Sequence, residues 1–257
     1  MSSRSRIDGI RLKIERAKKH IRDLDIAINA FIQEKPYRLG ARPHPVAQIQ
    51  HTTLYVDEVN PVHPEITMIM GDAIHNLRSA LDHLTWQLVE AGDGTPNKDT
   101  YFPIIGDGPK APEQYASAIG KGGIPKITPQ ALKIIQAVQP YVTPDQTLWL
   151  IHQLDIVDKH RLLLTVVAAM DKWGVDFATR GTLWFEQYRY VPLVVGNEIT
   201  NLPTSTYERQ AHEDFQLGID IAFGESEIPG GELVRYTLNK MADFVERLVA
   251  QFEPFLA

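Results

Sequence analysis

Apolar residues recur three or four positions apart at Ile7, Ile10, Ile14, Ala17, Ile21, Leu24, Ile28 and Phe31. That spacing lays one narrow stripe along an α-helix and predicts a long helix over roughly residues 5–34. The pattern returns near the other end, at Val234, Leu238, Met241, Val245, Leu248, Phe252 and Phe255, and predicts a helix over roughly 231–256. Two such seams are expected to pack in one bundle. A third helix, over roughly 63–91, follows Pro61 and Pro64, carries Met70, Ile74, Leu77, Leu81, Leu84 and Leu88 on one stripe, and stops at AGDGTPN. Two more are announced by their starts. Thr128 and Pro129 precede ALKIIQAVQ, while Thr143, Pro144, Asp145 and Gln146 precede LWLIHQLDIVDKH, so each has a Thr N-cap before an N1 proline. The second, over roughly 144–160, also has the Gln of a capping box.

Strand signals fall in two places. PHPVAQIQHTTLYVDEV alternates in part and is β-branched, which predicts a strand pair that includes YRLG. After Arg161 come LLLTVVAAM, VDFATRG, TLWFEQYRY, PLVVGNEIT and DFQLGIDIAFGE, short β-prone runs split by Gly, Pro and polar turns. They predict a small antiparallel sheet of four or five strands. The stretch from Asn97 to Lys126 reads as a connecting loop; its IGKGGIPK lacks the strand-loop-helix setting and the Lys-Ser/Thr ending of a phosphate-binding loop. The expected fold class is α+β: one domain over 1–257, a bundle of four to five long helices, and a β-rich insertion at 161–223 before the last helix.

Composition narrows the chemistry. With 44% apolar and 23% charged residues, the chain has the balance of a protein that buries a core. No run approaches the ~20 apolar residues of a membrane span, and MSSRSRIDGIRLKIERAKKH lacks the apolar stretch of a secretory signal, so a cytoplasmic location is expected. The absence of cysteine excludes disulfides, Cys-ligated zinc, iron–sulfur clusters and thiol nucleophiles. Net charge is −6, yet residues 1–22 hold eight Lys/Arg against Asp8 and Glu15. This basic helix offers Arg11, Lys18, Lys19 and Arg22, with Lys13 and Arg16, as candidate phosphate contacts; the alternative is a solvated outer face.

The densest polar constellation is GDAIHNLRSALDHLTWQLV, residues 71–89. At about 100° per residue, His75, Arg78, Ser79, Asp82 and Trp86 share one side, Asn76 and His83 lie at its edge, and the leucines lie opposite. Arg78 and Asp82 have ion-pair spacing, and His75 can bond Ser79, so a satisfied structural network is one reading. In HQLDIVDKHRLLL, residues 152–164, His152, Asp155 and Lys159 share a helical face. Asp158, Lys159, His160 and Arg161 form the helix end, where cations are favoured by the dipole and Asp158 is expected to tie that end to the polar face around His75 and Asp82.

Arg78-Ser-Ala-Leu-Asp-His83 resembles the arginine, four residues, histidine pattern of the HEPN superfamily of helical-bundle proteins. Many of these are endoribonucleases of toxin–antitoxin, phage-defence and CRISPR systems. GDAIHNLRSALDHL, then YFPI, then LDIVDKHRLLL is more closely similar to a widespread bacterial, notably actinobacterial, family that brings no established activity. Against the HEPN pattern, Ser79 follows the arginine where Asn, Asp or His is usual, and Thr85 stands where some antitoxin-modified members have tyrosine. The HEPN resemblance implies metal-independent RNA cleavage through attack of the 2′-hydroxyl, with no cofactor. His83 would be the general acid or base and Arg78 the group that stabilises the phosphorane. Five residues turn a helix by about 500°, leaving these side chains about 140° apart. The resemblance therefore implies a homodimer in which Arg78 of one chain meets His83 of the other, with RNA and an antitoxin as partners. Two alternatives stand beside it: a non-catalytic binding or regulatory protein, and a metal-dependent hydrolase drawing on His75, Asp82, His83, His152, Asp155 and His160.

Overall fold

A computed structural model describes residues 3–46, 50–106, 108–141, 146–161, 166–177, 181–209, 215–224 and 232–256. The chain runs through α1 (Ser3–Gln33), β1 (Tyr37–Pro43), β2 (His51–Val59), α2 (Pro64–Ala91), α3 (Ala111–Ile119), a 3₁₀ turn at Ile124–Lys126, α4 (Pro129–Val138) and α5 (Thr147–Arg161). It continues through β3 (Val166–Phe177), β4 (Gly181–Pro192), β5 (Glu198–Pro203), α6 (Thr204–Arg209), β6 (Phe215–Phe223), α7 (Val234–Ala250) and a 3₁₀ turn at Glu253–Phe255. The class is α+β, with seven α-helices and two antiparallel sheets among the described residues. No helix among them is long and apolar enough to cross a membrane. Two compact units result. One comprises Met1–Leu24, Met68–Leu164 and Arg235–Ala257, and the other Asp25–Thr67 and Thr165–Val234.

The first unit is helical, and its core is the set of stripes read from the sequence. Ile10, Ile14, Ala17, Ile21 and Leu24 of α1 are buried, as are Met70, Ile74, Leu77, Leu81, Leu84 and Leu88 of α2 and Leu238, Met241, Val245 and Leu248 of α7. Burying such side chains is worth about 1.5–3 kcal/mol each, which makes the stripes the main source of cohesion. Polar groups on the outer face of α1 are tied to the C-terminal segment: Arg11 Nη2 donates to Glu253 Oε1 at 2.7 Å, and Lys18 Nζ to Glu246 Oε1 at 2.7 Å.

Several expectations need correction here. The Asn97–Lys126 stretch is more than a loop, because it folds into α3 and the 3₁₀ turn. Ala111 and Tyr115, four apart, are buried, and the Tyr115 hydroxyl donates to the Ile135 carbonyl of α4 at 2.5 Å. Flanking glycines hid this short amphipathic turn. They allow the chain to bend there, since Gly122 and Gly123 take φ of 59° and 78°, and a Cβ on Gly122 would run into the Asp99 carbonyl oxygen. Thr128 stands at the N-cap of α4 without a side-chain capping bond. Of the second cap, Thr143, Pro144 and Asp145 lie outside the described residues, and α5 begins at Thr147. The count of four to five helices omitted short elements, α3 and α6, whose nine and six residues carry little periodicity.

The second unit holds two three-stranded sheets, ordered β1-β2-β5 and β4-β3-β6, where one sheet was expected. The expected β1-β2 hairpin is present. β5 leaves its sequence neighbours and pairs with β2, placing Leu54 opposite Thr200 and Thr53 opposite Asn201. The turn before it explains this. Gly196, at φ 91°, donates its N–H to Val56 O at 2.7 Å, and Val56 N–H donates to Asn197 O at 2.9 Å, which hands the chain to β2. On the other sheet, β4 is an edge strand with Leu183, Trp184 and Phe185 exposed. Lys172 Nζ sits 5.1 Å from the Trp184 ring centroid.

The burial pattern sets a contrast. Leu77→Ala, at a fully buried position of α2, is expected to cost about 2–5 kcal/mol. Leu12→Ala, at a position 69% exposed on α1, is expected to stay within about 0.5 kcal/mol of the parent. Urea unfolding of both variants measures the difference, and equal losses would contradict this account of the helical core.

Candidate functional site

Helical spacing on α2 and α5 assembles the polar groups of the first unit. Arg78 is 6% exposed, and its charge is met locally. Nη2 donates to the Phe102 carbonyl at 3.1 Å and lies 3.0 Å from Asp82 Oδ1. The same Asp82 oxygen accepts the Phe102 N–H at 3.0 Å. An Arg and an Asp one helical turn apart thus hold both backbone polar groups of one residue. The effect is to fasten the segment after α2 to that helix, with the Phe102 ring fully buried. Burial holds the Asp82 carboxyl above the usual carboxylate range, against the lowering pull of Arg78.

Asp155 of α5, 4% exposed, organises the second group. Its Oδ1 lies 3.0 Å from His75 Nδ1, and its Oδ2 accepts from Lys159 Nζ at 2.5 Å. His75 Nε2 lies 3.4 Å from Ser79 Oγ. A proton on Nδ1 is the arrangement that gives the Asp155 carboxylate a donor, and in the neutral ring it leaves Nε2 as an acceptor on the Ser79 side. Asp158 reaches α2 by packing: a Cβ on Gly71 would overlap the Asp158 carboxylate as it stands, and the carboxylate would have to move aside. Burial, then Asp155 and Asp72, push the Asp158 carboxyl up.

Beside these groups lies a cavity of about 440 Å³ whose polar lining is Arg78, Asp82, His152, Asp155 and Lys159. Two nitrogens of that lining are buried with no partner among the described residues, Arg78 Nη1 and His152 Nδ1. Burial, and then the charge of Arg78, push the His152 imidazole down to about 4. Such orphaned groups are rare in folded proteins and call for an explanation.

The sequence-derived candidates divide accordingly. Arg78, His75, Ser79, Asp82, Asp158 and Lys159 come together, whereas His83 is exposed and His160 is exposed at the end of α5. Asn76 is absorbed into α2, its Nδ2 donating to the Asp72 carbonyl at 2.8 Å. The side chain of Arg161 lies outside the described residues. On α1, Arg11 and Lys18 pair with glutamates and Lys19 with Asp23, leaving Arg22 exposed. No three His, Asp or Glu side chains among the described residues converge into a metal-holding group. Sequence reasoning missed the cavity wall and the role of Gly71. YFPI carried a signal in its motif but none about which of its atoms matter, since these are backbone atoms. Compared with known protein families, curated proteins and solved structures, the chain matches none.

The close approach of α5 to α2 makes Gly71 a test of packing. Gly71→Ala is expected to cost about 1–3 kcal/mol by forcing Asp158 aside. The same change in an Asp158→Ala background is expected to cost markedly less, and a double-mutant cycle measures that coupling. For His152, the unfolded chain takes up a proton near pH 6.5 that the folded chain does not take until about pH 4. The stability contributed by the neutral ring is therefore complete above that window and is lost as pH falls through it. The full difference corresponds to about 3 kcal/mol, and partial exposure of the ring reduces it to about 1–2 kcal/mol. Between those pH values, His152→Gln is expected to lose less stability than the parent by that amount, as read from urea unfolding at stepped pH.

Proposed function

We propose that this chain is a ligand-binding protein whose site is the cavity beside Arg78. One observation carries the reading: a buried arginine, already fixed through Nη2, keeps Nη1 without a partner at a cavity large enough for a small molecule. An arginine needed only to hold Phe102 has no use for a second bare edge, and burying unmet donors costs about 1–3 kcal/mol. The endoribonuclease reading asks Arg78 of one chain to meet His83 of another on a phosphate. In this chain Arg78 is engaged beneath Phe102, and His83 stands exposed at a different angle of α2. That reading therefore asks a residue 6% exposed to share a phosphate with a second chain, and the binding reading needs only the cavity beside it.

Two measurements test the proposal together. The first incubates the purified chain with single-stranded RNA in EDTA and assays 2′,3′-cyclic phosphate ends; none are expected, and their formation by the parent but not by Arg78→Ala or His83→Ala would restore the nuclease. The second screens small molecules by saturation-transfer NMR against the parent and Ala118→Trp, which fills the cavity from α3. Ligands are expected whose signals disappear in the variant while its melting temperature holds. A screen in which no signal depends on Ala118 would remove the cavity as the site.

A further inference from the structure

Resting on the cavity as a binding site, we infer that the part of the ligand recognised there is an oxyacid anion, a carboxylate or a phosphate-type group, on a compact apolar body. The reason is an imbalance between donors and acceptors in the polar lining. Arg78 Nη1 is bare and can only donate. Lys159 spends one donor on Asp155 Oδ2 and has two left. The Nδ1 of His152 is bare as well, and it becomes a donor in the tautomer that carries its proton there or when the ring is protonated.

The acceptors are fewer and mostly engaged, with Asp82 Oδ2 the carboxylate oxygen that no hydrogen bond described above uses. Asp155 uses Oδ1 on His75 and Oδ2 on Lys159, and Asp82 Oδ1 serves both Arg78 and the Phe102 N–H. A ligand that completes this set brings acceptors and few donors. A hydroxyl or a primary amide also brings donors, for which this lining offers few open oxygens. An ionised carboxylate or phosphate brings acceptors, and hydrogen bonds to it from cations are roughly twice as strong as neutral ones. The planar edge of a guanidinium is shaped for such groups.

Charge points the same way. Arg78 pairs with Asp82 and Lys159 with Asp155 in the lining, and burial makes the Asp82 carboxylate costly to keep ionised. An anion arriving at Arg78 gives that cation a second counter-charge, and it also favours a proton on His152, whose ring is kept neutral by burial and by Arg78. The rest of the lining includes the apolar residues Phe102, Ile104, Ile105, Ala118 and Ile156. These accept a ring or a short branched chain behind the acidic head.

Three fragments of one shape separate the possibilities: benzoate, phenylphosphonate and benzamide, titrated at pH 7 into the parent and into Ala118→Trp. At least one acid is expected to bind about tenfold or more tightly than benzamide, to lose its binding in Ala118→Trp, and to lose most of its advantage in Lys159→Met. Preference between benzoate and phenylphosphonate tells carboxylate from phosphate chemistry. Benzamide binding at the Ala118-dependent site as tightly as both acids would overturn the inference and leave the cavity as a binding site. Absence of Ala118-dependent binding by all three fragments would overturn it too, and the wider screen then decides the cavity itself.

Discussion

The arrangement around the cavity depends on how one buried cation is neutralised. A guanidinium removed from water is tolerated only where its hydrogens meet fixed acceptors, and Arg78 meets Asp82 one turn along its own helix and the carbonyl of Phe102. Because Asp82 also takes the Phe102 N–H, the charge is neutralised by an act that positions backbone. The segment carrying the apolar wall is held where the arginine needs it. What remains of the Arg78 edge, Nη1, is buried beside the cavity with no hydrogen bond from the protein's own groups.

A second layer of order comes from α5. Asp155 lies where two of its neighbours in the helical unit, His75 and Lys159, can each take one oxygen, so that both carboxylate oxygens are engaged within the protein. Pairs of this kind add little net stability once desolvation is counted. What they supply is definition: the placing of His75, the direction of Lys159 and the spacing of the two helices at the level of Gly71. Cohesion comes instead from the aliphatic stripes, which share the helices with these polar groups but lie on their other faces.

Those stripes were readable because helix periodicity is a property of the chain itself. Ile10 through Phe31, Met70 through Leu88 and Leu238 through Leu248 are buried as their spacing requires. The polar cluster of α2 was readable for the same reason, as was the convergence of Arg78 with Asp82. Legibility ended where a partner is distant in sequence or lacks a side chain. Nothing in the residues 196–203 announces that β5 joins β2, because strand pairing is settled by a turn at Gly196 and by backbone bonds to Val56. The hold on Phe102 uses main-chain atoms that every residue has. His152 and Asp155 were visible as polar residues on one face, but their burial and unequal hydrogen bonding arise only once α2 is packed beside them.

Helix α5 carries, less than two turns apart, two groups whose protonation preferences oppose each other. His152 resists the proton, whereas Asp158, crowded by burial, Asp155 and Asp72 at the negative end of a helix dipole, welcomes one. On mild acidification the imidazole withdraws stability from the fold while the carboxyl adds it, since a carboxyl with a raised pKa favours the folded chain in acid and loses that favour as pH rises. The two effects act on one rigid rod. The acid response of this helix is therefore the difference of two opposed titrations, and removing either residue leaves the other's sign alone.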